Sequence, residues 1–92
     1  GPIDPESFHL AQNYPNPFNP GTTIEFFLPE AKHVLLTVYD MNGREVAELL
    51  NQHVGKGNHV LSFEATNLSS GIYFYTINAG SYRATKKMMV LR

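Results

Sequence analysis

Turn-forming residues interrupt this 92-residue sequence at short intervals, so no uninterrupted segment suits a helix of ten residues. The strongest interruption is at residues 15–20, where Pro15, Pro17 and Pro20 fall within six positions. Each proline lacks a backbone donor and therefore disfavours both a helix and a central strand. Between the turns lie runs rich in β-branched and aromatic residues, a pattern typical of short strands.

Seven segments are predicted to be strands. Alternation of Val34, Leu36 and Val38 with the residues between them indicates a half-buried strand. Met41-Asn42-Gly43 predicts a hairpin turn in which Asn-Gly supplies positive φ. Residues 44–50 also fit one helical turn through Val46 and Leu50. The predicted strands cover residues 8–14, 22–28, 34–39, 44–50, 59–65, 72–79 and 82–91.

The side chains of the later strands divide between two faces. Alternation predicts that Leu61 shares a face with Phe63, and that Ile72 lies opposite Tyr73. Tyr75 and Ile77 are expected beside Tyr73, with Phe74 beside Ile72. Short strands and tight connections predict an all-β fold, an antiparallel seven-stranded immunoglobulin-like β-sandwich. The Cys…Trp…Cys pattern of antibody domains is absent, so the likeness concerns architecture alone.

The composition limits the domain count and the classes of partner. Residues 1–7 are interpreted as a remnant of tag removal and linker, and residues 8–92 as one folded domain. The chain is 42% apolar but only 16% charged, with a formal net charge of −1. With this net charge, the chain has no excess of positive charge to attract nucleic acid. No apolar run approaches the length of a membrane-spanning helix.

No pattern for catalysis, a cofactor or a metal is found in the sequence. It contains no cysteine, nucleophile elbow, phosphate-binding loop or HExxH motif. Asp40, Asn42 and Glu45 are better explained by a turn than by calcium binding. The four histidines lack a common metal-ligand spacing and are interpreted as surface residues: His9, His33, His53 and His59. We therefore expect a non-catalytic protein without a cofactor.

Several segments resemble one known family. Residues 10–20 read Leu-Ala-Gln-Asn-Tyr-Pro-Asn-Pro-Phe-Asn-Pro, which is similar to the opening signature of type A C-terminal sorting domains of type IX secretion in the Bacteroidota. The resemblance continues through residues 24–26, 28–29, 38–40, 43–46, 68–75 and 86–92. The flagellar hook-capping protein carries a domain of similar fold, so fold alone would not settle the function.

The resemblance implies a sorting domain at the C-terminal end of a larger exported protein. The outer-membrane type IX machinery would recognise it, and a sortase-like protease cleaves it from many members. The attached cargo passes through the periplasm and reaches the cell surface or the medium. The family signature comprises Asn13, Tyr14, Pro15, Asn16, Pro17, Phe18, Asn19 and Pro20 in a loop, and Gly71, Ile72, Tyr73, Phe74 and Tyr75 in a strand.

The last seven residues are the predicted recognition segment. They place apolar side chains on both faces of one strand, which suggests that a partner covers the outer face or adds a strand to the edge. The alternative is an ordinary final strand. The predicted recognition residues are Lys86, Lys87, Met88, Met89, Val90, Leu91 and Arg92.

Two other functions are open on the sequence alone. A carbohydrate-binding module would display a row of exposed aromatic side chains, and a passive immunoglobulin-like spacer would need no recognition segment. Four tyrosines are candidates for a sugar platform, although core packing is favoured for them: Tyr39, Tyr73, Tyr75 and Tyr82. In the proline-rich loop, Tyr14 and Phe18 are expected to anchor the chain to the sandwich.

Overall fold

The computed structural model describes residues 7–92 as a two-layer β-sandwich. Residues 1–7 are interpreted as a remnant of tag removal and linker. Of these, only Ser7 is among the described residues. The seven strands are β1 (His9–Leu10), β2 (Gly21–Leu28), β3 (Lys32–Tyr39), β4 (Glu45–Val54), β5 (Gly57–Glu64), β6 (Gly71–Ala79) and β7 (Tyr82–Val90). The predicted all-β, seven-stranded sandwich is therefore confirmed.

One sheet contains three strands and the other four, and all strand pairings are antiparallel. The smaller sheet has the order β1-β2-β5, and the larger has the order β4-β3-β6-β7. The β3–β4 and β6–β7 connections are hairpins within the larger sheet. The other connections after β2 carry the chain from one sheet to the other. Consequently β4 and β7 form the two edges of the larger sheet.

The alternating apolar residues pack between the sheets as predicted. Val34, Leu36 and Val38 of β3 are fully buried, as is Tyr75 of β6. Removal of this apolar surface from water is the main stabilising term of such a sandwich. The predicted face of β5 also points inward, with Phe63 buried. The whole core comprises Leu10, Phe18, Ile24, Phe26, Leu28, Val34, Leu36, Val38, Val54, Phe63, Ala65, Tyr73, Tyr75, Ile77, Ala79, Met88 and Val90.

Segment 44–50 is part of a strand, so its helical alternative is wrong. Strand β4 extends to Val54, where the chain reaches the turn at residues 55–56. Its first half pairs with β3 through two register irregularities. Leu36 and Val38 are two positions apart on β3, whereas their partners Leu50 and Ala47 are three apart, so β4 does not keep a strict period of two.

The β3–β4 hairpin turns at the predicted place but by a different geometry. Gly43 has a φ of 81°, whereas no residue other than glycine has positive φ in the described part of the chain. The expectation that Asn42 shares the positive φ is therefore wrong. The Gly43 N–H donates to the Asp40 carbonyl, and Asp40 Oδ1 accepts from the backbone N–H of Asn42 and Arg44. These bonds stabilise a turn that needs only one left-handed residue.

The first strand is much shorter than residues 8–14. Only His9 and Leu10 pair continuously with β2, and an isolated bridge joins Tyr14 to Thr23. Between them the Asn13 N–H donates to the Tyr75 hydroxyl on the opposite sheet. Pairing with β2 is interrupted at Asn13, whose N–H bonds to a side chain of the larger sheet in place of a strand partner, and it resumes only at the Tyr14–Thr23 bridge.

Candidate recognition surface

The signature loop (residues 13–20) begins with a buried asparagine. The Asn13 side chain is 2% exposed, and its Nδ2 donates to Thr22 Oγ1 at 3.0 Å and to the Pro15 carbonyl at 3.1 Å. The Thr22 hydroxyl also donates to the Pro15 carbonyl. Because these polar groups are paired with one another, the loop leaves β1 in a defined conformation without unsatisfied buried atoms.

The two aromatic side chains of the loop have opposite environments. Phe18 is 2% exposed, and its ring packs edge to face against Phe63. Tyr14, in contrast, is 81% exposed and is held through its backbone, which exchanges two hydrogen bonds with Thr23. The prediction that both residues anchor the loop is thus confirmed for Phe18 through its ring and for Tyr14 through its backbone alone. Asn13 is a further anchor, and the Tyr14 ring remains accessible.

The signature loop lies beside the outer edge of β7. The Phe18 N–H donates to the Met89 carbonyl, and the Leu91 N–H donates to the Phe18 carbonyl, each at 3.0 Å. Asn16 Oδ1 accepts from the Met89 N–H at 2.9 Å. Gln12 Nε2 donates to the Lys87 carbonyl. The edge between Lys87 and Leu91 is therefore already occupied by the domain's own chain, which protects it against pairing with another strand.

The predicted alternation of the last strand is present. Met88 and Val90 are fully buried in the core, whereas Met89 is 37% exposed and Leu91 is 52% exposed on the other face. Lys87 lies on the same outer face and is paired with Phe74 of β6 in the ladder. Lys86 lies on the inner side and is half-buried. Lys87, Met89 and Leu91 are therefore the residues of this segment that lie on the outer face.

Arg92 makes contacts within the domain. Its guanidinium donates to the carbonyls of Ala65, Thr66 and Leu68, at 2.7, 2.9 and 2.8 Å. Its backbone N–H donates to Ser70 Oγ. All three bonds involve one nitrogen, Nη1, so its two N–H groups are shared among the three converging carbonyls. Arg92 thus holds the β5–β6 connection against the end of β7.

The signature strand β6 joins the core to the same outer surface. Tyr73 and Tyr75 point inward, whereas Ile72 and Phe74 are half-buried on the outer face. The Tyr75 hydroxyl donates to the Ala11 carbonyl and accepts from the Asn13 N–H, both at 2.7 Å. Burial raises the pKa of the Tyr75 hydroxyl to about 12, an effect that the Asn13 N–H partly offsets.

A small pocket lies where the signature loop meets strands β6 and β7. Its volume is about 160 Å³, and its walls are formed by Asn16, Pro17, Ile72, Lys87, Met88 and Met89. The pocket therefore brings together residues from all three predicted groups: the loop, the signature strand and the recognition segment. We call this region, including the exposed face around Lys87, the loop–strand surface.

Positive charge is concentrated in β7 and the two residues that follow it. Four of the seven Lys and Arg residues lie at positions 83–92, and no Asp or Glu follows Glu64 in the sequence. Among the described residues, none of Arg83, Lys86 and Lys87 forms an ion pair. The net charge of −1 conceals this separation, which a count along the chain would have detected.

The described part of the structure contains no cluster of metal-binding side chains. The β3–β4 register places His33 opposite His53, but no cluster of three or more potential ligands occurs in residues 7–92. Asp40 serves as the turn residue, and its backbone bonds to Arg44 and Asn42 hold its pKa below the ordinary value. No helix within that range is long and apolar enough to cross a bilayer.

The four candidate tyrosines do not form one exposed platform. Tyr73 and Tyr75 are buried, Tyr39 is half-buried on the outer face of the larger sheet, and the ring of Tyr82 stacks on Phe8. The aligned aromatic row that a carbohydrate-binding module would require is therefore absent from these residues. Core packing was the favoured interpretation, and it is confirmed for Tyr73 and Tyr75.

Comparison with known proteins identifies the family of the chain. A family model described as the secretion system C-terminal sorting domain matches residues 12–91, which include the signature loop, β6 and nearly all of the recognition segment. A search of curated proteins found no match. Since the family model covers most of the chain and every element of the loop–strand surface, the protein belongs to the family of C-terminal sorting domains of the type IX secretion system.

Proposed function

We propose that the type IX machinery recognises this sorting domain through the loop–strand surface. The observation that carries the proposal is the direct bonding of the signature loop to β7, through Phe18 and Asn16. Two segments at opposite ends of the sequence thereby contribute to one continuous surface. A partner that binds to this surface recognises the folded domain, because an unfolded chain would not hold the two segments together.

The exposed residues of this surface are the ones available to a partner. Lys87 and Met89 face outward beside the half-buried Ile72, whereas Met88 and Val90 are committed to the core. Arg92 Nη1 donates to three carbonyls of the β5–β6 connection. We therefore assign direct recognition to Lys87, Met89 and Leu91, and a positioning role to the other residues of the segment.

The partners follow from the family. An outer-membrane component of the type IX machinery binds the domain after its cargo, attached upstream, has reached the periplasm. A sortase-like protease then removes the domain, and the cargo is released or retained at the cell surface. The sorting domain itself contributes binding and no chemistry to these steps, in agreement with a family that acts as a signal.

Charge reversal at Lys87 tests this assignment. A fluorescent reporter with an inner-membrane export signal and residues 8–92 is expressed in a host with type IX secretion. Lys87→Glu is expected to reduce secretion by about tenfold or more, because a like-charge contact with the partner costs binding energy. Its exposed position predicts a stability change within about 0.5 kcal/mol.

Arg83→Glu is the matched control. Arg83 lies on the same strand and the same outward side, is exposed, and carries the same charge, but it does not line the pocket. Secretion of this variant is expected to stay near the wild-type level. Equal losses for both variants would indicate a general need for positive charge, and normal secretion of Lys87→Glu would remove Lys87 from the recognition surface.

A further inference from the structure

We propose that the pocket between the signature loop and the β6–β7 hairpin binds one apolar side chain of a partner protein, in a segment where a carboxylate follows that side chain. This inference rests on the proposed function, since it names the chemistry of the partner segment that the loop–strand surface recognises.

The size and lining of the pocket suit a single side chain. Its volume of about 160 Å³ is near that of a cavity of about 150 Å³ known to hold benzene. Pro17, Ile72 and Met89 supply apolar atoms to its walls. A leucine or phenylalanine side chain fits this space, whereas an extended lipid chain does not. A methionine wall also adapts its shape to the side chain that enters.

The pocket wall is held in place before any partner arrives. The Met89 N–H donates to Asn16 Oδ1, and the Met89 carbonyl accepts from the Phe18 N–H. The neighbouring Met88 is buried in the core. Phe18 is itself buried against Phe63. Because these contacts already order the loop, binding does not have to supply the ordering free energy, which favours a specific site.

The positive charge of Lys87 indicates a carboxylate as the second part of the ligand. Lys87, whose side chain ends in an ammonium group, lines the pocket and forms no ion pair with another described residue, and its cross-strand neighbour Phe74 is uncharged. No acidic residue occurs between Glu64 and the end of the sequence. A carboxylate adjacent to the bound side chain would meet this ammonium. Since Lys87 is exposed, the attraction orients the ligand and weakens with salt.

Short peptides titrated into the isotopically labelled protein provide the test. The probe is acetyl-Ala-Leu-Asp-Ala-amide, and backbone NMR shifts are followed at low salt. We expect saturable shifts centred on Ile72, Lys87 and Met89. Replacing the peptide's leucine by alanine is expected to weaken binding about tenfold through lost apolar burial. Replacing its aspartate by asparagine is expected to weaken binding about two- to fivefold.

Protein variants locate the site. Lys87→Gln is expected to weaken binding of the aspartate peptide about two- to fivefold and to leave the asparagine peptide unchanged. Arg83→Gln is expected to change neither. Shifts that are equal for all three peptides, or that lie away from the pocket, would overturn the inference. A stronger response to anionic phosphatidylglycerol vesicles than to the peptide would also overturn it, in favour of a lipid.

The reporter assay separates failure of this inference from failure of the proposed function. If secretion of the reporter is lost in Lys87→Glu but the peptide does not bind, the pocket inference is overturned and recognition by the loop–strand surface stands. If the peptide binds but Lys87→Glu leaves secretion intact, the pocket has no part in sorting, and both proposals are overturned. Peptide binding together with loss of secretion in Lys87→Glu supports both.

Discussion

At the scale of single residues, Tyr75 links the two sheets through its hydroxyl. The ring is buried in the core, and the hydroxyl bonds the Ala11 carbonyl and the Asn13 N–H at the start of the signature loop. A strand pattern identified Tyr75 as an inward residue. The two bonds depend on where the chain crosses between the sheets, which no local pattern in the sequence contains.

Removal of the Tyr75 hydroxyl is expected to destabilise the domain. Tyr75→Phe leaves one buried acceptor and one buried donor unpaired, at a cost of about 1–3 kcal/mol in the free energy of unfolding. Tyr14→Phe, at an exposed position, is the control and should change stability by less than about 0.5 kcal/mol. Urea titration measures both variants. Equal stability of Tyr75→Phe and the wild type would contradict the assigned bonds.

The same hydroxyl predicts a dependence of stability on pH. The folded pKa of about 12 exceeds the ordinary value of 10.0, so the folded state holds this proton more tightly than the unfolded state. Its contribution is fully present below about pH 10 and is lost as pH rises towards 12. The difference in stability between wild type and Tyr75→Phe should therefore shrink over this range. A constant difference in urea titrations would contradict the raised pKa.

At the scale of elements, the signature loop acts as the neighbour of β7. Residues 16–18 occupy part of an edge that would otherwise be open to strand addition. The sequence predicted that a partner could add a strand to this edge. Between Lys87 and Leu91, such a partner would first have to displace the signature loop. Binding across the outer face requires no displacement, which favours the loop–strand surface as described.

Docking of the loop depends on Phe18. Phe18→Ala removes a buried ring from its contact with Phe63 and is expected to destabilise the domain by about 3–5 kcal/mol. Tyr14→Ala in the same loop should cost less than about 0.5 kcal/mol, because that ring is exposed. Chemical denaturation compares the two variants. A larger loss for Tyr14→Ala would show that the loop is anchored differently.

At the scale of the whole molecule, the recognition segment is also part of the core. Met88 and Val90 are fully buried, and Arg92 holds the β5–β6 connection. Removing residues 86–92 therefore removes one end of β7 together with two core side chains. Losses of this kind add to about 4 kcal/mol or more, which approaches the total stability of a small domain.

The truncated chain is expected to lose its cooperative unfolding transition. Circular dichroism during heating should show a broad or absent transition for residues 1–85 and a single one for the full chain. A secretion defect in such a truncation would then report unfolding as well as lost recognition. A cooperative transition near the wild-type midpoint would show instead that residues 86–92 contribute little to the fold.

Much of this molecule was predictable from local sequence. The seven strands, the inward faces of β3, β5 and β6, and the alternation of Met88 with Met89 follow from a period of two, which backbone geometry imposes on any strand. The motifs at residues 10–20 and 86–92 identified the family. The errors arose at positions where distant contacts override local pattern: the end of β1 at Leu10 and the exposed ring of Tyr14.

The sequence by itself determined the strand content, the burial pattern and the family, because each depends on residues that are near neighbours along the chain. Only the tertiary structure decided that the signature loop and the recognition segment form one surface. Asn16 and Met89 are 73 positions apart, and their bond requires the sandwich to place the first loop beside the last strand. The pocket beside Lys87 exists for the same reason, since its walls come from segments that only folding brings together.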